Sequence, residues 1–149
     1  MNLKQQKFID VPLFELSTFI IYEINKVGLD TMMLGTKAIR YADRYSVDNI
    51  NYTDNTQKYI ANMKADNGIY KNEILTLSGN IIYTREDGLT METSKAIYNK
   101  KNSVTTIDND FVSYKGNNRV IGSSAIYNNK DNKLASKNVI AKYQIKEKK

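Results

Sequence analysis

The chain has 149 residues, 41% of them hydrophobic, with no Cys, His or Trp, one Pro and seven Gly; that is enough for one domain with a core and too little for two ordinary ones. Without Cys or His there are no zinc knuckles, thiol or imidazole nucleophiles, haem ligands or disulfides, so catalysis would fall to carboxylates, Lys, Ser, Thr and Tyr. The net charge of +6 permits an anionic partner without naming one, and the 18 Asn point to a composition bias that weakens the charge as a clue.

In chain order, Met1 to Asp10 is polar and lacks the apolar segment of a signal peptide. The longest purely apolar run is Phe19-Ile20-Ile21-Tyr22, whereas a spanning helix needs about 20 apolar residues, so the chain as given reads as soluble. Helical periodicity is scarce. From Met33 onward, short runs of β-branched and aromatic residues alternate with Asn, Asp, Gly and Lys clusters. Tyr41 to Ile60 is less regular and gives no strand register. Strands are predicted at Leu75-Thr76-Leu77, Asn80 to Thr84, Leu89 to Glu92, Ser103 to Ile107 and Asp110 to Tyr114. The turns between them are Glu86-Asp87-Gly88, Asn99 to Asn102, Lys115 to Asn118 and Asn128 to Asn132, all rich in residues that tolerate positive φ. The expected domain is a meander of antiparallel hairpins.

A repeat runs through these elements. Met33 to Arg40, Met63 to Tyr70, Met91 to Tyr98 and Val120 to Tyr127 align, their first residues 63−33 = 30, 91−63 = 28 and 120−91 = 29 apart. A large apolar residue is followed two positions later by a small one (Gly35, Ala65, Thr93, Gly122) and three further on by another (Ala38, Gly68, Ala96, Ala125). Ile follows in all four and Tyr in three. The second half also repeats, as Leu75 to Ile82, Thr105 to Val112 and Ser136 to Ile140. One unit of about 29 residues thus holds two strands, and four such units must stack edge to edge to bury their apolar sides. The small residues fit either a tight sheet corner or space left for a ligand.

Side-chain parity then selects the inward set. It comprises Met33 and Ile39; Met63, Ile69, Leu75, Leu77 and Ile81; Leu89, Met91, Ile97, Ile107 and Phe111; and Val120, Ile126 and Val139. Tyr83 and Ser113 follow the same parity, with Thr76, Asn80, Thr90, Glu92, Thr106 and Asp110 facing water. Ile82 and Val112 break the alternation, which predicts a bulge or partial cover there.

The unit of apolar residue, small residue, small residue and Tyr, then a polar turn and Gly-Asn-apolar, is seen in Met91-x-Thr93-x-x-Ala96-Ile97-Tyr98-Asn99 and Ser78-Gly79-Asn80-Ile81. It resembles the lipopolysaccharide-export family with the OstA-like β-jellyroll, LptC and LptA, over about Phe14 to Ile145. The opening Phe14-Glu15-Leu16-x-x-Phe19-x-x-Tyr22-Glu23-Ile24-Asn25-x-x-Gly28-Leu29 favours the LptC branch, the alternative being an LptA-type soluble bridge. The resemblance implies an all-β fold, an open antiparallel β-jellyroll over residues 13–145, preceded by a stalk remnant or flexible arm over 1–12 and followed by a basic, solvated tail over 146–149. LptC proteins begin with an inner-membrane helix that this sequence lacks, so a chain trimmed to the periplasmic domain is implied.

The implied function is non-enzymatic and needs no cofactor or metal. Lipopolysaccharide acyl chains would lie in an apolar groove lined by the inward set, each methylene taken from water contributing ~0.8 kcal/mol. The same set, on pattern alone, describes an ordinary dry core. Unpaired strands at the ends of the jellyroll would dock partners by strand addition. Phe14, Leu16, Phe19 and Tyr22 belong to the N-terminal edge, facing the transporter subunits LptF and LptG. Val139, Ala141 and Tyr143 belong to the C-terminal edge, facing LptA.

Two other classes are weaker. A nucleic-acid module would use the +6 charge and 11 Tyr, but Tyr70, Tyr98 and Tyr127 lead into turns and the basic residues show no single face. A hydrolase built on Glu23, Asp43, Glu86 or Asp87 lacks any fixed carboxylate separation.

Overall fold

The computed structural model describes residues 10–128, 131 and 133–142. Among them there is no helix, and one antiparallel sheet contains twelve strands. Six long ones come first: β1 (Phe14–Asn25), β2 (Gly28–Arg40), β3 (Tyr45–Asp54), β4 (Ala61–Lys71), β5 (Ile74–Arg85) and β6 (Thr90–Asn99). Six short ones follow: β7 (Val104–Ile107), β8 (Phe111–Lys115), β9 (Asn118–Gly122), β10 (Ser124–Asn128), β11 (Lys133–Lys137) and β12 (Ile140–Lys142). The long strands pair in chain order. Beyond β6 the sheet forks, one branch running β7-β10-β11 and the other β8-β9-β12. The short strands are thus halves of long ones interrupted at the fork. This is the open antiparallel jellyroll expected from the sequence, with the less regular 41–60 region supplying β3 in register with β2 and β4.

The fork marks a line along which every long strand bends, dividing the sheet into two walls. The first wall holds residues 37–40, 45–48, 67–71, 74–78 and 95–99 with β7, β10 and β11. The second holds 28–34, 50–54, 61–64, 81–85 and 90–93 with β8, β9 and β12. The walls face each other, as tilted ring pairs show: Tyr52 against Tyr98 and Tyr83 against Tyr127, each 6.1 Å between centroids.

The bend explains the three-residue gap between the small residues. A straight strand alternates faces, yet Met33 and Ala38, Met63, Ala65 and Gly68, Met91 and Ala96, and Gly122 and Ala125 are all buried. At each bend the outward corner takes two successive residues, and the parity reverses. Ile39, Ile69, Ile97 and Ile126 therefore lie on the outer face, which corrects their assignment to the groove: parity carried through the bend without reversal puts them inside. Ile69, Ile97 and Ile126 are exposed and Ile39 is half-buried. They join one cross-strand row, Ile39–Ser46–Ile69–Thr76–Ile97–Thr106–Ile126, in which β-branched and hydroxyl side chains stabilise the water-facing surface by lateral contact.

On the inside, small residues of one strand sit beside large ones of its neighbours. One row reads Ala38–Val47–Gly68–Leu77–Ala96, and Ile107 pairs with Ala125. Across the bend, Phe19 pairs with Gly35, Ile50 with Ala65, and Phe111 with both Thr93 and Gly122. A Cβ on Gly35 would lie 2.7 Å from Phe19 Cε1, and one on Gly122 2.6 Å from Phe111 Cε1. Protein side chains thus fill the space beside the small residues, and of the two readings the sheet corner holds.

A hydrogen bond closes each corner. The side-chain amides of Asn49, Asn80, Asn109 and Asn138 donate to Thr36 Oγ1, Asp66 Oδ2, Ser94 Oγ and Ser123 Oγ at 2.9, 2.8, 2.6 and 2.9 Å. Asn49, Asn80 and Asn138 have φ of 52°, 47° and 53°, the left-handed region that Asn enters at least cost after Gly. Gly79 beside Asn80 has φ 83°, and a Cβ there would meet Asp66 Oδ2 at 2.6 Å. The register of β5 slips at this point against both neighbours, so the bulge expected near Ile82 lies just before it, between Ser78 and Ile81. Asn80→Ala is expected to lower the unfolding free energy by about 1–2 kcal/mol in urea titration, through the left-handed backbone and the lost hydrogen bond. Asn80→Gly, which keeps the backbone free, should cost less.

Candidate functional site

The residues expected to line a groove divide by position. Met33, Met63, Leu75, Leu77, Ile81, Met91, Ile107 and Phe111 are buried between the walls. Leu89 and Val120 are partly buried and pack against them, whereas Val139 is exposed in the link between β11 and β12. In the middle of the sandwich, Met63, Leu77, Ile81, Tyr83, Met91, Tyr98 and Ile107 leave about 10 Å³ between them, room for one water at most. The interior is closed there.

It opens at the N-terminal end. A cavity of about 220 Å³ lies between the walls where β1 to β4 meet, lined by Ile21, Met33, Ala38 and Val47 and by the more polar Glu23, Thr31, Tyr45, Tyr52 and Tyr70. Its size falls below the ~300 Å³ at which small-molecule pockets usually begin. Lys100 Nζ, just past the end of β6, donates to Oε1 of the cavity-lining Glu23 of β1 at 2.6 Å. Partial burial disfavours the Lys100 ammonium, but Glu23, Tyr70 and Asp54 together raise its pKa.

Opposite the bend, a polar seam joins the walls. Asp54, at the end of β3, is 1% exposed and accepts hydrogen bonds from the Tyr98 hydroxyl of the other wall and from Thr56 N at 2.8 Å and Thr56 Oγ1 at 2.5 Å. Burial, and then Asp54, push the Tyr98 phenol far above its ordinary pKa, so it stays a donor. Gln57 Nε2 donates to Ser103 Oγ at 2.9 Å, again from wall to wall. Further along, the Arg85 guanidinium stacks 5.1 Å from the Tyr127 ring and 5.3 Å from the Tyr59 ring. Arg85 also grips Asp87 through two 2.6 Å bonds, which with Lys115 hold the Asp87 carboxyl well below the usual carboxylate range. Burial raises the Tyr83 phenol to about 12. Asp54 did not figure among the candidates drawn from the sequence, and Tyr98 only as a repeat tyrosine that leads into a turn; only the fold brings them together, 44 residues apart. Of the four acids weighed there, Asp43 is bound by Arg44 and Lys71, Asp87 by Arg85 and Lys115, and Glu23 by Lys100, while Glu86 accepts from Ile60 N. Among the described residues no group of three or more Asp and Glu could hold a metal ion.

Among the described residues the sheet has two unpaired edges. Among the described residues β1 pairs with β2 alone, and it carries apolar side chains on both faces: Phe14, Leu16, Phe19 and Ile21 on the inner side, Ile20, Tyr22 and Ile24 on the outer. Of these Phe19 is buried, against Gly35, and the rest are exposed. The other edge is β11 with β12, where Ala141 pairs with Val120 and Ile140 is exposed; Val139 lies in the link between the strands, and Tyr143 lies outside the described residues. Soluble proteins usually shorten, charge or cover such edges; β1 is 12 residues long and carries two charges, Glu15 and the cavity-lining Glu23. No helix among the described residues is long and apolar enough to cross a membrane.

No curated protein matches the chain. The family model described as lipopolysaccharide-assembly, LptC-related, matches residues 4–144, nearly the whole length. Together with the open two-walled jellyroll, this match shows that the chain belongs to the LptC family of lipopolysaccharide-assembly proteins.

Proposed function

We propose that this protein is a non-enzymatic carrier of lipopolysaccharide in the periplasm, receiving acyl chains between its two walls from the inner-membrane ABC transporter and passing them to LptA. The observation that carries the reading is the coincidence of the largely apolar cavity with β1, a strand whose outer edge has no neighbour among the described residues and which carries apolar side chains on both faces. A strand added to β1 by LptF or LptG would continue both walls at once, so that the cavity would become the end of a longer apolar path. At the far end the edge of β11 and β12 would continue into LptA in the same way. The closed middle implies that the walls part as a chain passes, and the polar seam is what would have to yield.

Photo-reactive residues at Met33, in the cavity, and at Ile69, on the outer face of the same sheet, test this during active export. Lipopolysaccharide adducts are expected at Met33 and not at Ile69. Export with no adduct at Met33, or equal capture at both, would overturn the reading.

A further inference from the structure

We infer that the N-terminal cavity is the acyl half of an amphiphile site whose anionic half is Lys100: a phosphate or carboxylate joined to the chain displaces Glu23 and takes its place on the Lys100 ammonium. The inference rests on the acyl-carrier reading and adds the head-group chemistry that accompanies the chain. Glu23 lines the cavity and its Oε1 lies 2.6 Å from Lys100 Nζ, so the ammonium is one hydrogen bond away from the cavity lining. Tyr70, a second lining residue, is also within electrostatic range of Lys100. Among the described residues Glu23 is the one side chain that hydrogen-bonds the ammonium.

The two partners are held unequally. Lys100 follows β6 directly; its backbone N donates to Glu73 O at 2.9 Å, and Asn99 Oδ1 fixes the turn by accepting from Lys101 N at 3.0 Å and Asn102 N at 3.4 Å. The Lys100 side chain is 19% exposed, whereas that of Glu23 is 59% exposed. Glu23 sits in the edge strand β1, next to the register slip between Glu23 and Ile24. The carboxylate can therefore swing into water, while the ammonium stays behind, partly buried and without a counter-charge at hydrogen-bonding distance. Asp54, the other acid in range, already accepts three bonds from Tyr98 and Thr56. An ion pair with one partner largely in water contributes little, so an arriving anion has little to overcome. A phosphate monoester brings a charge of about −1.5 to −2 at pH 7, and lysine receives it as a point charge. The apolar lining of Ile21, Met33, Ala38 and Val47 then takes the chain.

The test uses the full chain and displacement of a neutral fluorescent acyl ester by dodecyl phosphate, by dodecanol and by inorganic phosphate. Wild type is expected to bind dodecyl phosphate about two- to fivefold more tightly than dodecanol and to release no probe to inorganic phosphate. Lys100→Gln should abolish that preference. Glu23→Gln, which removes the competing charge and keeps the side-chain size, should raise it about two- to fivefold above wild type. Both substitutions break the same ion pair, so a merely structural pair would shift the preference the same way in both or in neither. That result, or release of the probe by inorganic phosphate, would overturn the anion subsite and leave the carrier reading standing. Failure of the probe, dodecyl phosphate and dodecanol alike to bind wild type would overturn both.

Discussion

Replacing Asp54 with Ala is expected to lower the unfolding free energy by about 3 kcal/mol, which for a chain of this length corresponds to a loss of roughly 6–12 °C in Tm. The size follows from what the carboxyl group does. It is 1% exposed and receives three donors, from the Tyr98 hydroxyl, Thr56 N and Thr56 Oγ1. Ala satisfies none of them, and the Tyr98 phenol is left buried on the far wall without its acceptor. Asp54→Asn keeps one carbonyl oxygen but turns an amide toward the remaining donors, so it should fall between wild type and Ala. Tyr98→Phe removes only the donor from the opposite wall and should cost about 1–2 kcal/mol.

These variants also bear on carriage. The middle of the interior holds about 10 Å³, so an acyl chain can pass only if the walls separate. Tyr98→Phe lowers the free energy of that separation while leaving the apolar lining intact. At a temperature well below its Tm it is expected to take up a fluorescent acyl probe faster than wild type. Equal rates would show that the seam stabilises the fold without gating it.

Much of this architecture can be read in the sequence because the hairpin units repeat. The 28- to 30-residue period, the turns and the inward positions within each straight half follow from alternation and turn chemistry. What alternation cannot reveal is a reversal of faces inside one strand. Ile39, Ile69, Ile97 and Ile126 are β-branched and recur at a fixed place in every unit, and both properties describe an inner row as well as an outer one. The signal that separates the two was present at the fourth position of the repeat, where Thr36, Asp66, Ser94 and Ser123 each offer a short oxygen acceptor. Each pairs with an Asn roughly half a unit later, and that recurring pair locates the bend. The seam was beyond reach for a different reason. Asp54 and Tyr98 belong to different hairpins, and nothing local marks Asp54 as the carboxyl group that will be buried.

Gly122→Ala should be costly for the addition of a single methyl group at the bend, at about 1–3 kcal/mol, with Gly122→Val larger still. The new Cβ would stand 2.6 Å from Phe111 Cε1, 2.8 Å from Phe111 Cζ and 2.8 Å from Ser136 Oγ. Phe111 is 2% exposed, so its ring has no open direction in which to retreat. Gly35 presents a Cβ at 2.7 Å from Phe19 Cε1 on the edge strand β1, which can shift outward, but also at 2.8 Å from Cγ1 of Val47, which is 1% exposed, so Gly35→Ala should carry a cost of the same order. A double-mutant cycle decides whether the glycine is there for the ring. If it is, Phe111→Leu should absorb much of the cost of Gly122→Ala, and the two substitutions should fall short of additivity by about 1 kcal/mol or more in urea titration. Additivity within about 0.5 kcal/mol would mean that the ring and the glycine act independently, and would remove the packing account of the small positions in the repeat.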